Sequence, residues 1–199
     1  MAHADDDILM VTAEGQAIRF TVEELRCASR TSGGVRGIRL AKGDSLVSLN
    51  ITTPGGELLV VMEKGYGKRT AIDEYPRHNR GGNGVLTARL TDKTGRIAAA
   101  RVITEKDSDL MIVSASGVVI RMDVSAVRAL SRTTQGTLVQ HLAEGDSVVA
   151  ISTTNGKKDD ELEGDEDEGE IEGELGEEVT AEEVVGQAVE TKQEAGAEE

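Results

Sequence analysis

The side chains of this chain with potential for chemistry fall into two groups. The first is a handful of isolated reactive residues. Cys27 is the single cysteine, the tyrosines are Tyr66 and Tyr75, and the histidines include His78 and His141. A tyrosine that attacks a phosphate ester needs a cation beside it to stabilise the charge that develops. Tyr66 stands between glycines and Tyr75 precedes Pro76, with no arginine adjacent to either. No Gly-x-x-x-x-Gly-Lys-Ser/Thr loop occurs, so the sequence offers no site of that kind for a nucleotide. One cysteine excludes an intrachain disulfide and a cysteine-rich zinc site. His78 and His141 read as loop or strand residues.

The second group is a set of arginines placed among glycines. Arg30 opens Arg-Thr-Ser-Gly-Gly-Val-Arg-Gly-Ile-Arg, which also holds Arg36 and Arg39. Arg77 and Arg80 flank His78-Asn79 and precede Gly81-Gly82-Asn83-Gly84, and Arg132 precedes Thr133-Thr134-Gln135-Gly136. Arg30, Arg80 and Arg132 are separated by steps of 50 and 52 residues. Glycine lets backbone N–H groups approach a phosphate, and arginine adds charge and paired donors. One such turn is an ordinary loop, and only its recurrence points to a track of phosphate contacts.

The same steps govern the elements that must carry these turns. Ile8–Thr12, Gly15 and Arg19 return as Leu58–Met62, Gly65 and Arg69, then as Leu110–Ser114, Gly117 and Arg121. Gly34-Val35 returns as Gly84-Val85 and Gly136-Thr137, and each unit closes on a short apolar run such as Leu46–Leu49 or Val148–Ile151. Short aliphatic runs ending at a glycine turn read as buried strands in hairpins. Val22–Leu25 and Val124–Val127 have room for single helical turns. Four strands per unit at this period is a propeller-like, all-β arrangement. The expected boundaries are repeats at 5–55, 56–105 and 106–155, then a disordered acidic tail at 156–199. Arg19, Arg69 and Arg121, beyond the hairpin turn, are expected to form structural ion pairs with Glu23, Asp73 or Asp123, with DNA contact as the second reading.

The charge is divided between these parts. The net charge is -15, yet residues 159–199 hold 19 acidic residues and one Lys, leaving a mildly basic body. A tail so rich in Asp, Glu and Gly cannot bury enough apolar surface to offset its entropy. It reads either as a solubilising end or as an internal competitor of nucleic acid for the body. No apolar run reaches membrane-spanning length and no basic-then-apolar leader opens the chain, so the expectation is a cytoplasmic protein.

The segments Gly15–Phe20, Gly34–Leu40, Gly65–Thr70, Asn79–Val85 and Arg132–Gly136 resemble blades of the C-terminal domain of DNA gyrase A. The resemblance covers residues 5–153, and the acidic end is similar in character to the gyrase tail. It implies a β-pinwheel of strand-exchanging blades, three of six being present, that wraps double-stranded DNA in a positive sense. The partners it implies are the remainder of gyrase A, gyrase B and the bacterial chromosome. It also implies that ATP and magnesium belong to other parts of a complex that introduces negative supercoils, with no cofactor in this chain. The DNA-binding residues carried over are Arg30, Arg36, Arg39, Lys68, Arg77, Arg80 and Arg132. The family's Gln-Arg-Arg-Gly-Gly-Arg-Gly box is matched at four of seven positions by His78–Gly84, in the middle unit. The equivalent domain of topoisomerase IV and a protein-recognition propeller are the other readings. Loss of a preceding blade is expected to leave an edge near Ile8–Val11.

Overall fold

The computed structural model describes His3 and residues 5–154, and the expectations for the acidic tail lie outside the described residues. Each repeat opens with a hairpin. In the first, β1 (Asp7–Thr12) pairs antiparallel with β2 (Gln16–Thr21), and β3 (Leu46–Ile51) lies on the other side of β1. The second repeat supplies β4 (Glu57–Met62), β5 (Tyr66–Ala71), the two-residue β6 (Val85–Leu86) and β7 (Ile97–Ile103). The third supplies β8 (Asp109–Ser114), β9 (Val119–Asp123), the two-residue β10 (Thr137–Leu138) and β11 (Val148–Thr154). A 3-10 turn follows the hairpin each time, at Val22–Glu24, Ile72–Glu74 and Val124–Ala126. The hairpin glycines adopt positive φ as expected, with Gly15 at 84°.

The fourth strand of a sheet does not come from its own repeat. The sheet orders are β3-β1-β2-β6, β10-β5-β4-β7 and β11-β8-β9. β6 of the second repeat pairs with β2 of the first, Ala17 opposite Val85, and β10 of the third pairs with β5 of the second, Gly67 opposite Thr137. The arm that follows β6 or β10 continues the contact. Thr87 N donates to Gly15 O and Val139 N to Gly65 O, both at 2.8 Å. Gly136 fits because a Cβ there would stand 2.7 Å from Gly67 O, and Gly84 lies equally hard against Ala17 O. Strand exchange between neighbouring blades makes this a β-pinwheel. Within the described residues the third sheet has three strands, because only a following repeat supplies the fourth.

The expected edge at Ile8–Val11 is corrected. β1 lies between β2 and β3, and Ile8, Leu9, Met10 and Val11 are all buried. Donation runs from each repeat to the one before it, so among the described residues the hairpin edge without a donated strand is β9.

The opening strands read as continuous apolar runs because both faces are covered. Leu58, Val60 and Met62 pack with Leu9, Val11, Ala17, Tyr75 and Ala88 between the first and second sheets. Leu59 and Val61, on the opposite face of β4, pack with Leu110, Ile112, Val124 and Val127 between the second and third. Ile8, Met10, Ile18 and Phe20 close the far face of the first sheet with Ile38. Each such side chain contributes roughly 1.5–3 kcal/mol on burial. β3, β7 and β11 converge around a cavity of about 360 Å³ at the hub, where Ala98–Ala100 allow close approach.

The ion pairs after the hairpin turns form, but with partners other than those expected. Arg19 binds Asp7 at 2.7 Å, Arg69 binds Glu57 at 2.6 Å and Arg121 binds Asp109 at 2.8 Å. Antiparallel pairing sets Leu9 opposite Arg19 and Asp7 opposite Thr21, so the carboxylate sits diagonally across the hairpin on the same face. Glu23, Asp73 and Asp123 lie instead at or beside the 3-10 turn.

Lys68 is a correction too. The resemblance carries it over as a DNA-binding residue, but it lies within strand β5 and is wholly buried. Its Nζ donates to Ser131 O and Arg132 O at 2.7 Å and to Thr134 Oγ1 at 3.3 Å. It ties the second sheet to the third repeat's turn and does not reach the surface.

Burial lowers the Lys68 pKa from 10.5 to about 8, against the opposing pull of Glu74. Between these two values the unfolded chain keeps a proton that the folded chain has released. Raising the pH through this window therefore favours folding, and below about pH 8 this gain is absent. In denaturant unfolding, the stability of the parent chain relative to Lys68→Met should rise as pH goes from 8 to 10.5. A constant difference across the window would refute a depressed Lys68.

Candidate nucleic-acid interface

The arginines that look equivalent in sequence are used differently in space. Arg80 donates its Nε to Glu24 O at 3.2 Å and an Nη to Arg36 O at 3.4 Å, while its backbone N–H meets the Glu24 carboxylate. Arg132 repeats the pattern one unit on. Its backbone N–H meets Glu74 Oε2 at 3.0 Å, an Nη donates to Leu86 O at 2.8 Å, and the guanidinium lies 6.0 Å from the Tyr75 ring. Both side chains clasp the arm of the preceding repeat from behind. Arg30, the first of the series, has no preceding repeat to clasp within the described residues and is exposed.

Other arginines on the inter-repeat segments face outward. Arg30, Arg36 and Arg39 are exposed. Arg77 holds buried Asp7 through Nε at 2.8 Å while 65 % of its side chain stays accessible. Arg89 joins them, a residue that the sequence reading misses. It stands 50 residues after Arg39, and His141 follows at 52. Backbone bonds hold the first two alike, Arg39 N to Gly82 O at 2.8 Å and Arg89 N to Thr134 O at 3.1 Å. All three side chains are exposed. The signal that finds Arg89 is the step that relates Arg30, Arg80 and Arg132, applied nine residues further along.

Of the seven residues carried over from sequence, Arg30, Arg36, Arg39 and Arg77 thus face solvent, Arg80 and Arg132 are half-buried clasps, and Lys68 is internal. The clefts are open and shallow in chemistry. No group of three His, Cys, Asp or Glu side chains converges on a metal position among the described residues. Tyr75 is buried with its hydroxyl against Thr87 at 2.5 Å, and burial raises its pKa, so it is a core residue and no exposed nucleophile. Among the described residues no helix is long and apolar enough to cross a membrane.

Truncating a clasp leaves carbonyl acceptors unmet at the seam between repeats. Arg132→Ala and Arg80→Ala should each lower stability by about 1–3 kcal/mol, whereas Arg30→Ala should leave the folding of the single chain nearly unchanged. Chemical denaturation of the three variants checks this, and equal losses at all three positions would refute the division of roles.

Known proteins share this arrangement. The family model of the DNA gyrase C-terminal domain, a β-propeller, matches residues 6–53, 56–104 and 108–155. The DNA gyrase A protein of Dehalogenimonas lykanthroporepellens is 43% identical over 159 residues, covering 77% of this chain and 19% of that protein. The DNA gyrase A protein of Mycobacterium tuberculosis is 46% identical over 154 residues, covering 76% and 18%. The chain therefore spans about a fifth of the curated relatives it matches. A solved gyrase A C-terminal domain superposes with a TM-score of 0.70 at 26% identity, covering 76% of this chain and 52% of that one. The C-terminal domain of DNA topoisomerase IV gives 0.71 at 22%, which speaks to fold alone. Three sequence repeats, three sheets linked by donated strands and a family match over each repeat make this chain a member of the DNA gyrase C-terminal domain family.

Proposed function

We propose that the body of this chain binds and bends duplex DNA along its exposed arginines, as the C-terminal, DNA-wrapping part of a gyrase A protein. The observation that carries this reading is the recurrence of outward arginines, Arg39 and Arg89 above all, on segments held by equivalent inter-repeat bonds. A rigid array that presents like charges at a fixed interval meets the sugar-phosphate backbone at successive points. It gains affinity from counterion release with little reading of bases. The half-buried clasps Arg80 and Arg132 lie behind the same loops and add to the positive field. The remainder of gyrase A and gyrase B are the partners of this reading. Strand passage, ATP hydrolysis and magnesium binding fall to those parts, and the chromosome in the cytoplasm is the setting. The chain's share is to constrain the DNA so that supercoiling has a direction. In this reading residues 159–199, with 19 acidic residues, compete electrostatically with DNA for the body of the chain.

Gyrase is favoured over topoisomerase IV because the curated relatives at 43–46% identity are gyrase A proteins. A protein-recognition propeller is the outcome to be tested against, since it has no need of salt-sensitive DNA affinity.

Titration of the chain with a duplex of arbitrary sequence, over a range of salt, tests the site. Replacing Arg36, Arg39 and Arg89 by Ala should weaken binding. It should also flatten the plot of log affinity against log salt by about 0.9 for each phosphate no longer neutralised. An unchanged slope would remove these residues from the interface, and absence of salt-dependent binding in the parent chain would favour the protein-recognition reading. Deleting residues 159–199 should strengthen binding at low salt. Equal affinities with and without them would leave the segment a solubiliser.

A further inference from the structure

The outward arginine series has a third member of different chemistry. A step of 50 leads from Arg39 to Arg89, and a step of 52 from Arg89 to His141. The step of 52 also sets Thr137 on Gly67 as Val85 lies on Ala17, so it holds in space as well as in sequence. Parity along the arm turns the three side chains outward. Each follows a buried residue, Ile38, Ala88 or Gln140, and each is itself exposed. The backbone that leads to His141 is pinned to the second repeat. Val139 N donates to Gly65 O at 2.8 Å and Gln140 N donates to the same oxygen at 3.1 Å.

Exposure at this position does not need a vacant neighbour. The Arg89 backbone is bonded to Thr134 of the following repeat, and its side chain is exposed all the same. The charged groups around His141 come from two elements. Glu63 and Lys64, in the turn between β4 and β5, line the same cleft, as does Asp146 in the loop that leads to β11, where Glu144 also lies. Lys64 Nζ is turned to Asp92 O. Hydrogen bonds from Ser116 and Ser114 hold the Asp146 carboxyl down at about 2. Carboxylates ordinarily titrate near pH ~4 and lysine near ~10, whereas an imidazole titrates near ~6.5. Between about pH 5.5 and 8, histidine is therefore the residue type here whose charge changes.

We propose that His141 is a third phosphate contact in line with Arg39 and Arg89, made by its protonated form alone; this rests on the reading of the chain as a DNA-binding body. Arginine is charged throughout this range, so the first two contacts are constant. Neutral imidazole keeps one N–H donor and no charge, so it neutralises no phosphate and releases no counterion. Imidazolium brings a charge and a second donor. The contact is fully present below the ordinary histidine value of about 6.5 and is lost as pH rises through the higher value that phosphate binding confers. The same linkage makes the chain take up a proton when it binds DNA. One point on the track thus opens and closes with pH while the rest of it stays engaged.

Titration of the 199-residue chain with duplex DNA over a range of salt, at about pH 5.5 and about pH 8, tests this. The plot of log affinity against log salt should steepen at the lower pH. It should do so by up to about 0.9 more in the parent chain than in His141→Gln. His141→Arg should match the parent at the lower pH and bind more tightly than the parent, with a steeper slope, at the higher. General effects of pH, those on the acidic residues 159–199 included, are common to all these proteins. His78→Gln is the control, since His78 is exposed and follows Arg77; it should keep the parent's change of slope. Salt-dependent binding whose slope changes as much in His141→Gln as in the parent overturns the proposal and leaves the DNA reading standing. A parent chain without salt-dependent DNA binding overturns both. Loss of the change in His78→Gln assigns it to that residue and overturns the proposal as well. Should a variant fail to fold, nuclear magnetic resonance of the parent chain decides. The titration midpoint of the His141 imidazole must rise when duplex is added, and an unmoved midpoint overturns the contact.

Discussion

The structure depends on a main-chain constraint: no repeat holds enough strands to complete its own sheet. In the first two repeats the hairpin leaves one edge bare, and the N–H and C=O groups on that edge are satisfied by an arm that arrives from the following repeat. The hydrophobic layers obey the same constraint. Leu9 and Val11 are buried by Leu58 and Val60, and Leu59 and Val61 by Leu110 and Ile112. The repeat in sequence and the sheet in space are therefore offset, and stability resides in the seams as much as in the units.

At those seams charged side chains are buried. Asp7 accepts from Arg19 of its own repeat and Arg77 of the next through one carboxylate oxygen, and it is buried. Lys68 occupies the position that Ile18 fills in the first repeat, yet it too is buried, because Ser131 and Arg132 carbonyls and the Thr134 hydroxyl meet its three protons. A buried cation with full hydrogen-bond partners costs less than an unpaired one, and it fixes the angle of approach between neighbouring turns.

The repeat, the hairpins, the glycine turns and the all-β class are legible in the sequence because they follow from periodicity and from local steric rules. Strand donation is read only through family resemblance, since no residue type marks which hairpin a two-residue strand will join. Lys68 enters the site by family resemblance, although the step of 50 sets it at the position of Ile18, opposite in face to Arg69. Only parity along β5 places it on the inward face. Ion-pair partners escape sequence reading for a related reason. The sequence offers Glu23 close to Arg19, but antiparallel pairing brings Asp7 across the hairpin to within 2.7 Å. The site is legible in kind, as exposed arginine on repeated loops, and less so in membership, since the same reading omits Arg89 and includes Lys68.

The arginine series Arg30, Arg80 and Arg132 shows why membership resists reading from sequence. These residues share type, spacing and local turn. What separates them is whether a neighbouring repeat stands in front, which is a property of position in the array. Where a neighbour exists, the guanidinium turns inward and donates to the carbonyls of Glu24, Arg36 or Leu86. Where none stands among the described residues, at Arg30, the same side chain is exposed. A basic residue in a donated-strand array thus has its role set by coverage. The outward series Arg39 and Arg89 escapes this rule, because its anchorage is a backbone bond that leaves the side chain in solvent at either seam. That difference makes backbone-anchored arginines a steadier basis for a DNA track than side-chain clasps, whose donors are already committed to holding the wheel together.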